Sequence, residues 1–174
     1  LTGRVNPPSG ASFEGLMIGD VEGYYLIATD AGYGFITKME NFLSKNRAGK
    51  VVLKVPKGGK VLAPALISDI GENEVVSISN EGRMLMFKLK DLPELAKGKG
   101  NKIINIPSAR VAERIEFVVS IAVIAEGQQL VIYSGKRHIN LSMGDLEHYR
   151  GERGRRGNKL PRGFQKVDKV EVQE

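Results

Sequence analysis

The stretch Val75-Val76-Ser77-Ile78-Ser79-Asn80-Glu81-Gly82-Arg83-Met84-Leu85-Met86-Phe87 decides the fold of this 174-residue chain. A β-branched run stops at a glycine-bearing turn and resumes as a second apolar run, the pattern of a β-hairpin. The glycine supplies the positive φ that a tight turn needs. Met84, Met86 and Phe87 fit the strand period or fill a buried strand, and so read as core rather than as a ligand surface.

Outward from this hairpin the same order of parts recurs at a period of about 50 residues. After it come Asp91-Leu92-Pro93 and a basic glycine loop, Lys97-Gly98-Lys99-Gly100-Asn101-Lys102. An earlier copy runs Tyr25-Leu26-Ile27-Ala28-Thr29-Asp30-Ala31-Gly32, Phe35-Ile36, Asn41-Phe42-Leu43 and Asn46-Arg47-Ala48-Gly49-Lys50. A later one runs Leu130-Val131-Ile132-Tyr133-Ser134-Gly135, His138-Ile139-Asn140-Leu141, Asp145-Leu146 and Arg153-Gly154-Arg155-Arg156-Gly157-Asn158-Lys159. The repeats are placed at approximately 16–60, 61–110 and 115–170, within one domain over 1–174.

The Asn or Asp before Phe42, Leu92 and Leu146 is expected to cap a single helical turn, since its short side chain accepts a free backbone N–H. Long helices are not expected. Further strands are predicted at Val51 to Val55, Val61 to Ile70, Ile103 to Ile106 and Phe117 to Ala125. That makes about four strands per repeat, the size of a propeller blade. The fold class is therefore all-β: about three four-stranded, propeller-like blades, too few to close a ring, forming an open arc or a truncated ring.

The basic loops close every copy at the same place, and in a radial repeat equivalent positions share one edge. Arg47 and Lys50, then Lys97, Lys99 and Lys102, then Arg153, Arg155, Arg156, Lys159 and Arg162 are thus expected to form one cationic stripe. From Arg150 to Arg162 there are six Lys or Arg and a single acid, Glu152, which makes this the strongest patch on a chain of net charge +6. Glycine beside a cation lets backbone N–H groups approach phosphate, and arginine adds a planar fork. Duplex DNA fits better than a single strand, because only 6% of the chain is aromatic and no aromatic lies in the loops. Tyr33 and Phe35 are expected to pack. Such a rim reads backbone rather than bases, and its binding should fall steeply with salt. An alternative is a propeller-like interaction scaffold whose basic edge meets an acidic partner.

Other chemistry finds little support. The chain has no cysteine, which removes disulfides, thiolate nucleophiles and cysteine zinc sites. His138 and His148 stand alone, so no metal site is expected. The glycine loops do not match the phosphate-binding pattern G-x-x-x-x-G-K-[ST]. Ser134, Ser142, Asp30, Asp69, Glu72 and Glu74 fall mainly in turns, and no nucleophile–base pair emerges. The apolar run around Phe117 to Ala125 is far short of the roughly 20 residues of a membrane span, so no membrane partner is expected and the localisation is read as cytoplasmic. Leu1 opens the chain without a methionine, and a longer parent is expected.

The segments Ala28 to Phe35, Asn46 to Lys50, Gly82 to Phe87, Lys97 to Pro107 and Gly151 to Gly157 closely resemble the C-terminal domain of the A subunit of bacterial DNA topoisomerase IV, a relative of gyrase A. The similarity covers nearly the whole chain. It implies a β-pinwheel, in which neighbouring blades exchange strands, that binds and bends DNA along its basic perimeter at the nucleoid. It also implies a parent of two A and two B subunits that unlinks and relaxes DNA using ATP and magnesium bound in other domains, leaving this region without cofactor or catalytic residue. None of Tyr24, Tyr25, Tyr33, Tyr133 and Tyr149 takes the role of the cleaving tyrosine. The gyrase box Gln-Arg-Arg-Gly-Gly-Lys-Gly is not reproduced by any loop, so the resemblance implies holding and bending DNA rather than wrapping it. The family domain has more blades than the three read here.

Overall fold

The computed structural model describes Ser9, residues 17–46 and residues 49–174. Its elements are β1 (Tyr24–Ala28), β2 (Tyr33–Lys38), β3 (Ala65–Ile67), β4 (Glu74–Ser79), β5 (Arg83–Lys88), β6 (Asn101–Lys102), α1 (Ser108–Ala112), β7 (Val118–Ile124), β8 (Gln129–Ser134), β9 (Arg137–Leu141), α2 (Met143–Leu146), β10 (Asn158–Lys159) and β11 (Lys169–Gln173). Each repeat contributes one antiparallel hairpin: β1 with β2, β4 with β5, β8 with β9. Gly32 and Gly82 hold the first two turns at φ +87 and +72, where the carbonyls of Ile104 and Phe164 leave no room for a Cβ.

The hairpins are completed by strands from further along the chain. The first sheet has the order β3-β1-β2-β6 and the second β10-β5-β4-β7. Thus β6 and β10, which lie in the closing loops of the second and third repeats, dock on the hairpin of the repeat before. The third sheet, β11-β8-β9, has three strands among the described residues, one fewer than expected. Among the described residues β9 has no counterpart of the loop strand that covers β2 and β5, and the three sheets do not close into a ring.

Two predicted strands are not formed. Val51 to Val55 makes only a single bridge, Leu53 to Gly98, and Ile103 to Ile106 none. Ile103, Ile104 and Ile106 are buried, but their backbone passes from one sheet to the next. Ile103 N–H donates to Gly32 (2.7 Å) while its carbonyl accepts from Gly154 (2.9 Å). β-branched residues here serve inter-sheet packing, not a ladder.

Alternation on each strand divides the core. Leu26 and Ile36 of the first sheet pack with Val75, Leu85 and Phe87 of the second, along with Ile103, Ile104 and Val111. The opposite face of the second sheet, with Val76, Ile78, Met84 and Met86, packs on Leu130, Ile132, Leu146 and Tyr149. The middle sheet is therefore apolar on both faces, which explains why its strands read as nearly unbroken hydrophobic runs.

The single helical turns occur at Met39–Phe42, Leu89–Asp91 and Met143–Leu146, but the caps differ from expectation. Lys38 and Lys88 precede the first two turns without a side-chain cap. In the third, Ser142 caps and Asp145 completes a reciprocal capping box. The serine hydroxyl and N–H both donate to Asp145 and hold its carboxyl below its ordinary value.

Candidate nucleic-acid interface

The basic loops are stitched side by side. Gly98 N–H donates to Val52 (2.8 Å), and Lys54 N–H donates to Gly98 (2.7 Å). One repeat on, Gly154 N–H donates to Ile103 (2.9 Å) and Asn105 N–H to Arg155 (2.9 Å). The stitching is similar but not identical, since Gly98 both donates and accepts whereas Gly154 donates and Arg155 accepts; Gly100-Asn101-Lys102 and Gly157-Asn158-Lys159 nevertheless dock alike on the preceding hairpins, Gly34 facing Asn101 and Met84 facing Asn158. Both docking strands are preceded by a glycine in the left-handed region, φ +81 at Gly100 and +74 at Gly157. A Cβ on Gly157 would sit 2.5 Å from the Met84 carbonyl, and one on Gly100 would overlap that of Gly34. Glycine is required here by the close approach of the neighbouring sheet.

Within this edge the expected site residues fall into different environments. Arg47 lies outside the described residues. Lys50, Lys97, Lys99, Lys159 and Arg162 are exposed and Lys102 half-buried, and none of these six makes an ion pair among the described residues. Arg155 is exposed, and its guanidinium pairs with the exposed Glu152 at 2.9 Å. Arg153 turns inward, its guanidinium donating to the Lys102 carbonyl at 2.7 Å.

Arg156 is committed to the protein itself. It forks onto Glu116 at 2.7 and 2.5 Å and also donates to the Asn105 carbonyl at 3.0 Å. Glu116 is completely buried and receives a further bond from Arg110 at 3.2 Å. Burial opposes its ionisation, yet the hydrogen bond and charge of Arg156 more than offset this and hold the carboxyl below its ordinary value. Arg153 and Arg156 thus fix the third loop, while the exposed cations project from it.

Three participants escaped the sequence reading. Tyr33 packs against the core as expected, but it is half-buried and its ring also carries cations, with Lys99 Nζ 4.3 Å and Lys102 Nζ 5.8 Å from its centroid. Lys57 lines a cavity together with Tyr33, Lys99 and Lys102; the run Lys57-Gly58-Gly59-Lys60 was its available signal. Arg83 pairs in register with Lys159 and donates to the Gly157 carbonyl at 3.2 Å. The rings of His138 and His148 lie against Tyr133 and Tyr149, and the His148 carbonyl accepts from the Asn158 side chain of the third loop at 2.8 Å. Among the described residues no helix is long and apolar enough to cross a membrane.

Comparison with known proteins agrees with this architecture. Residues 23–68 and 73–125 match the family model described as DNA gyrase C-terminal domain, beta-propeller. The chain is 52% identical to the A subunit of DNA topoisomerase 4 from Pseudomonas aeruginosa over 172 residues, covering 99% of this chain and 23% of that protein. It is 45% identical to the A subunit from Haemophilus influenzae, covering 94% of this chain and 22% of that one. The chain thus spans under a quarter of the length of these relatives. The solved E. coli ParC C-terminal domain superposes with a TM-score of 0.90 at 41% identity, over 99% of this chain and 69% of that one. With strand exchange, open sheets and these matches in agreement, the chain belongs to the DNA gyrase C-terminal domain family of β-propellers.

Proposed function

We propose that the chain holds and bends double-stranded DNA along its basic edge. In this reading it presents DNA to a parent topoisomerase IV for ATP-dependent unlinking and relaxation at the bacterial nucleoid. The observation that carries the proposal is the repeated backbone stitching of the loops, Gly98 to Val52 and Gly154 to Ile103, which aligns cations from successive repeats. A row of exposed lysines on glycine-rich backbone suits phosphates spaced along a duplex and offers little to distinguish bases.

The chain acts as a binding region in this reading, with no cleavage chemistry of its own. ATP and magnesium serve elsewhere in the parent, whose B subunits and second A subunit join it through other parts.

A salt series of duplex binding followed by fluorescence anisotropy tests the reading. If about six phosphates are neutralised, affinity falls about a thousandfold or more between 50 and 200 mM salt, with little dependence on sequence. A partner retained at high salt, with no duplex binding at low salt, would instead favour a protein-binding scaffold.

A further inference from the structure

The edge is not uniform along its length. Beside the β2–β6 edge of the first sheet lies an open cavity of about 280 Å³, bordered by Tyr33, Lys57, Lys99, Lys102, Asn105 and Ser108, with no acid in its lining among the described residues. The ammonium groups at its mouth are held in place. Lys99 stands over the Tyr33 ring, and Lys102 donates to Asn105 Oδ1 at 3.2 Å. Because Lys99 covers the ring face, Tyr33 steadies a cation and leaves no platform for a stacked base.

The matching positions between the second and third sheets differ in that one of their cations, Arg156, is taken up by an acid of the chain itself. The register places Arg83 where Tyr33 stands and Lys159 where Lys102 stands. Arg156 precedes Gly157 as Lys99 precedes Gly100. Asp30 N–H donates to Lys60 and Asn80 N–H to Phe117, which makes Lys60 and Phe117 equivalent, and so also the residues before them, Gly59 and Glu116. Where the second set of positions carries a buried carboxylate that takes up Arg156, the first carries a glycine.

We infer that the Tyr33–Lys57–Lys99–Lys102 notch is the point at which the edge grips a phosphodiester of the DNA backbone, whereas at the equivalent place one repeat on Glu116 takes up Arg156. The inference rests on the DNA-binding reading above and narrows it to one phosphate subsite. Pre-positioned ammonium groups lose less side-chain freedom on binding than free lysines do, which makes this notch the anchor of the path.

Two variants test it by duplex binding over a salt series. Lys57→Ala removes one wall cation. Ser108→Glu places an acid in the notch at the first position of α1, where a carboxylate suits helix geometry, so folding is expected to persist and is checked by thermal melting. Each is expected to weaken duplex binding about five- to tenfold, and the lysine change to lower the log–log salt slope by about one. Pyrophosphate at equal phosphate concentration is expected not to displace the duplex. If both variants bind like the unaltered chain while Lys159→Glu and Arg162→Glu bind poorly, the notch inference is overturned and the DNA-binding reading stands. If the unaltered chain binds no duplex, that reading itself fails. Displacement by pyrophosphate would also overturn the inference, by assigning the notch to a free polyphosphate.

Discussion

Arg156 and Glu116, forty residues apart in the chain, form a two-pronged ion pair at 2.7 and 2.5 Å in which the carboxylate is completely buried and the guanidinium half-exposed. The pair ties the most basic loop to the entry of β7. Removing the arginine leaves a buried carboxylate with Arg110 alone, which is strongly destabilising. Arg156→Ala is therefore expected to lose about 2–4 kcal/mol in urea unfolding. Arg155→Ala, whose partner Glu152 is in solvent, should stay within about 0.5 kcal/mol. Equal effects would remove the distinction between the two arginines.

The same pair sets a pH dependence. The carboxyl of Glu116 is held below its ordinary 4.5 in the folded chain, so its ion pair contributes stability that is fully present above about pH 4.5 and is lost as pH falls through the depressed folded value. The acid limb of stability below about pH 4.5 should accordingly be shallower for Glu116→Gln than for the unaltered chain, although the variant is less stable near neutrality. Urea midpoints collected from pH 3 to 7 measure both slopes.

Close approach at the docking strands gives a steric prediction. Gly157→Ala must move its Cβ off the Met84 carbonyl and hold a left-handed φ, whereas Gly127, at φ +85, has open space around it. Gly157→Ala is expected to cost about 2–4 kcal/mol and Gly127→Ala about 1 kcal/mol, the left-handed penalty alone. Thermal unfolding of the two variants compares them directly.

Asp30 and Asn80 occupy the same place in successive turns. Asp30 accepts from Lys60 N–H at 2.7 Å and Asn80 accepts from Phe117 N–H at 2.9 Å, but Asp30 also receives the Arg114 guanidinium at 2.7 Å. Arg114 itself sits at φ +59 with its guanidinium 4.0 Å from the Phe117 ring centroid. Asp30→Asn keeps the backbone acceptor and should cost about 1–2 kcal/mol, whereas Asp30→Ala leaves the N–H and the arginine unanswered and should cost about 3 kcal/mol or more. Calorimetry of both variants decides it.

The three hairpins were legible because local pattern determines them: β-branched runs meeting at Gly32, Gly82 and Gly135. The strands that complete each sheet were harder to read. β6 and β10 are two-residue, polar segments whose signal is the glycine before them, and their partners lie in a preceding repeat. The isoleucines at 103, 104 and 106 carry strand propensity but are used to pack between sheets, so composition misled there. Repeat position grouped the cations as one set, yet could not separate Arg156, which faces Glu116, from Arg155, which faces solvent. A lone acid between Ile115 and Phe117 was the one cue that a partner for a nearby arginine lay buried.

Whether the stitched loops hold and bend a duplex is decided by energy transfer between dyes at the two ends of one duplex, titrated with the chain at low salt. Transfer is predicted to rise as the chain binds, and the rise to vanish when Lys97, Lys159 and Arg162 are changed together to Glu with the fold intact. Unchanged transfer at saturating chain, or a rise that survives the charge reversal, would contradict it.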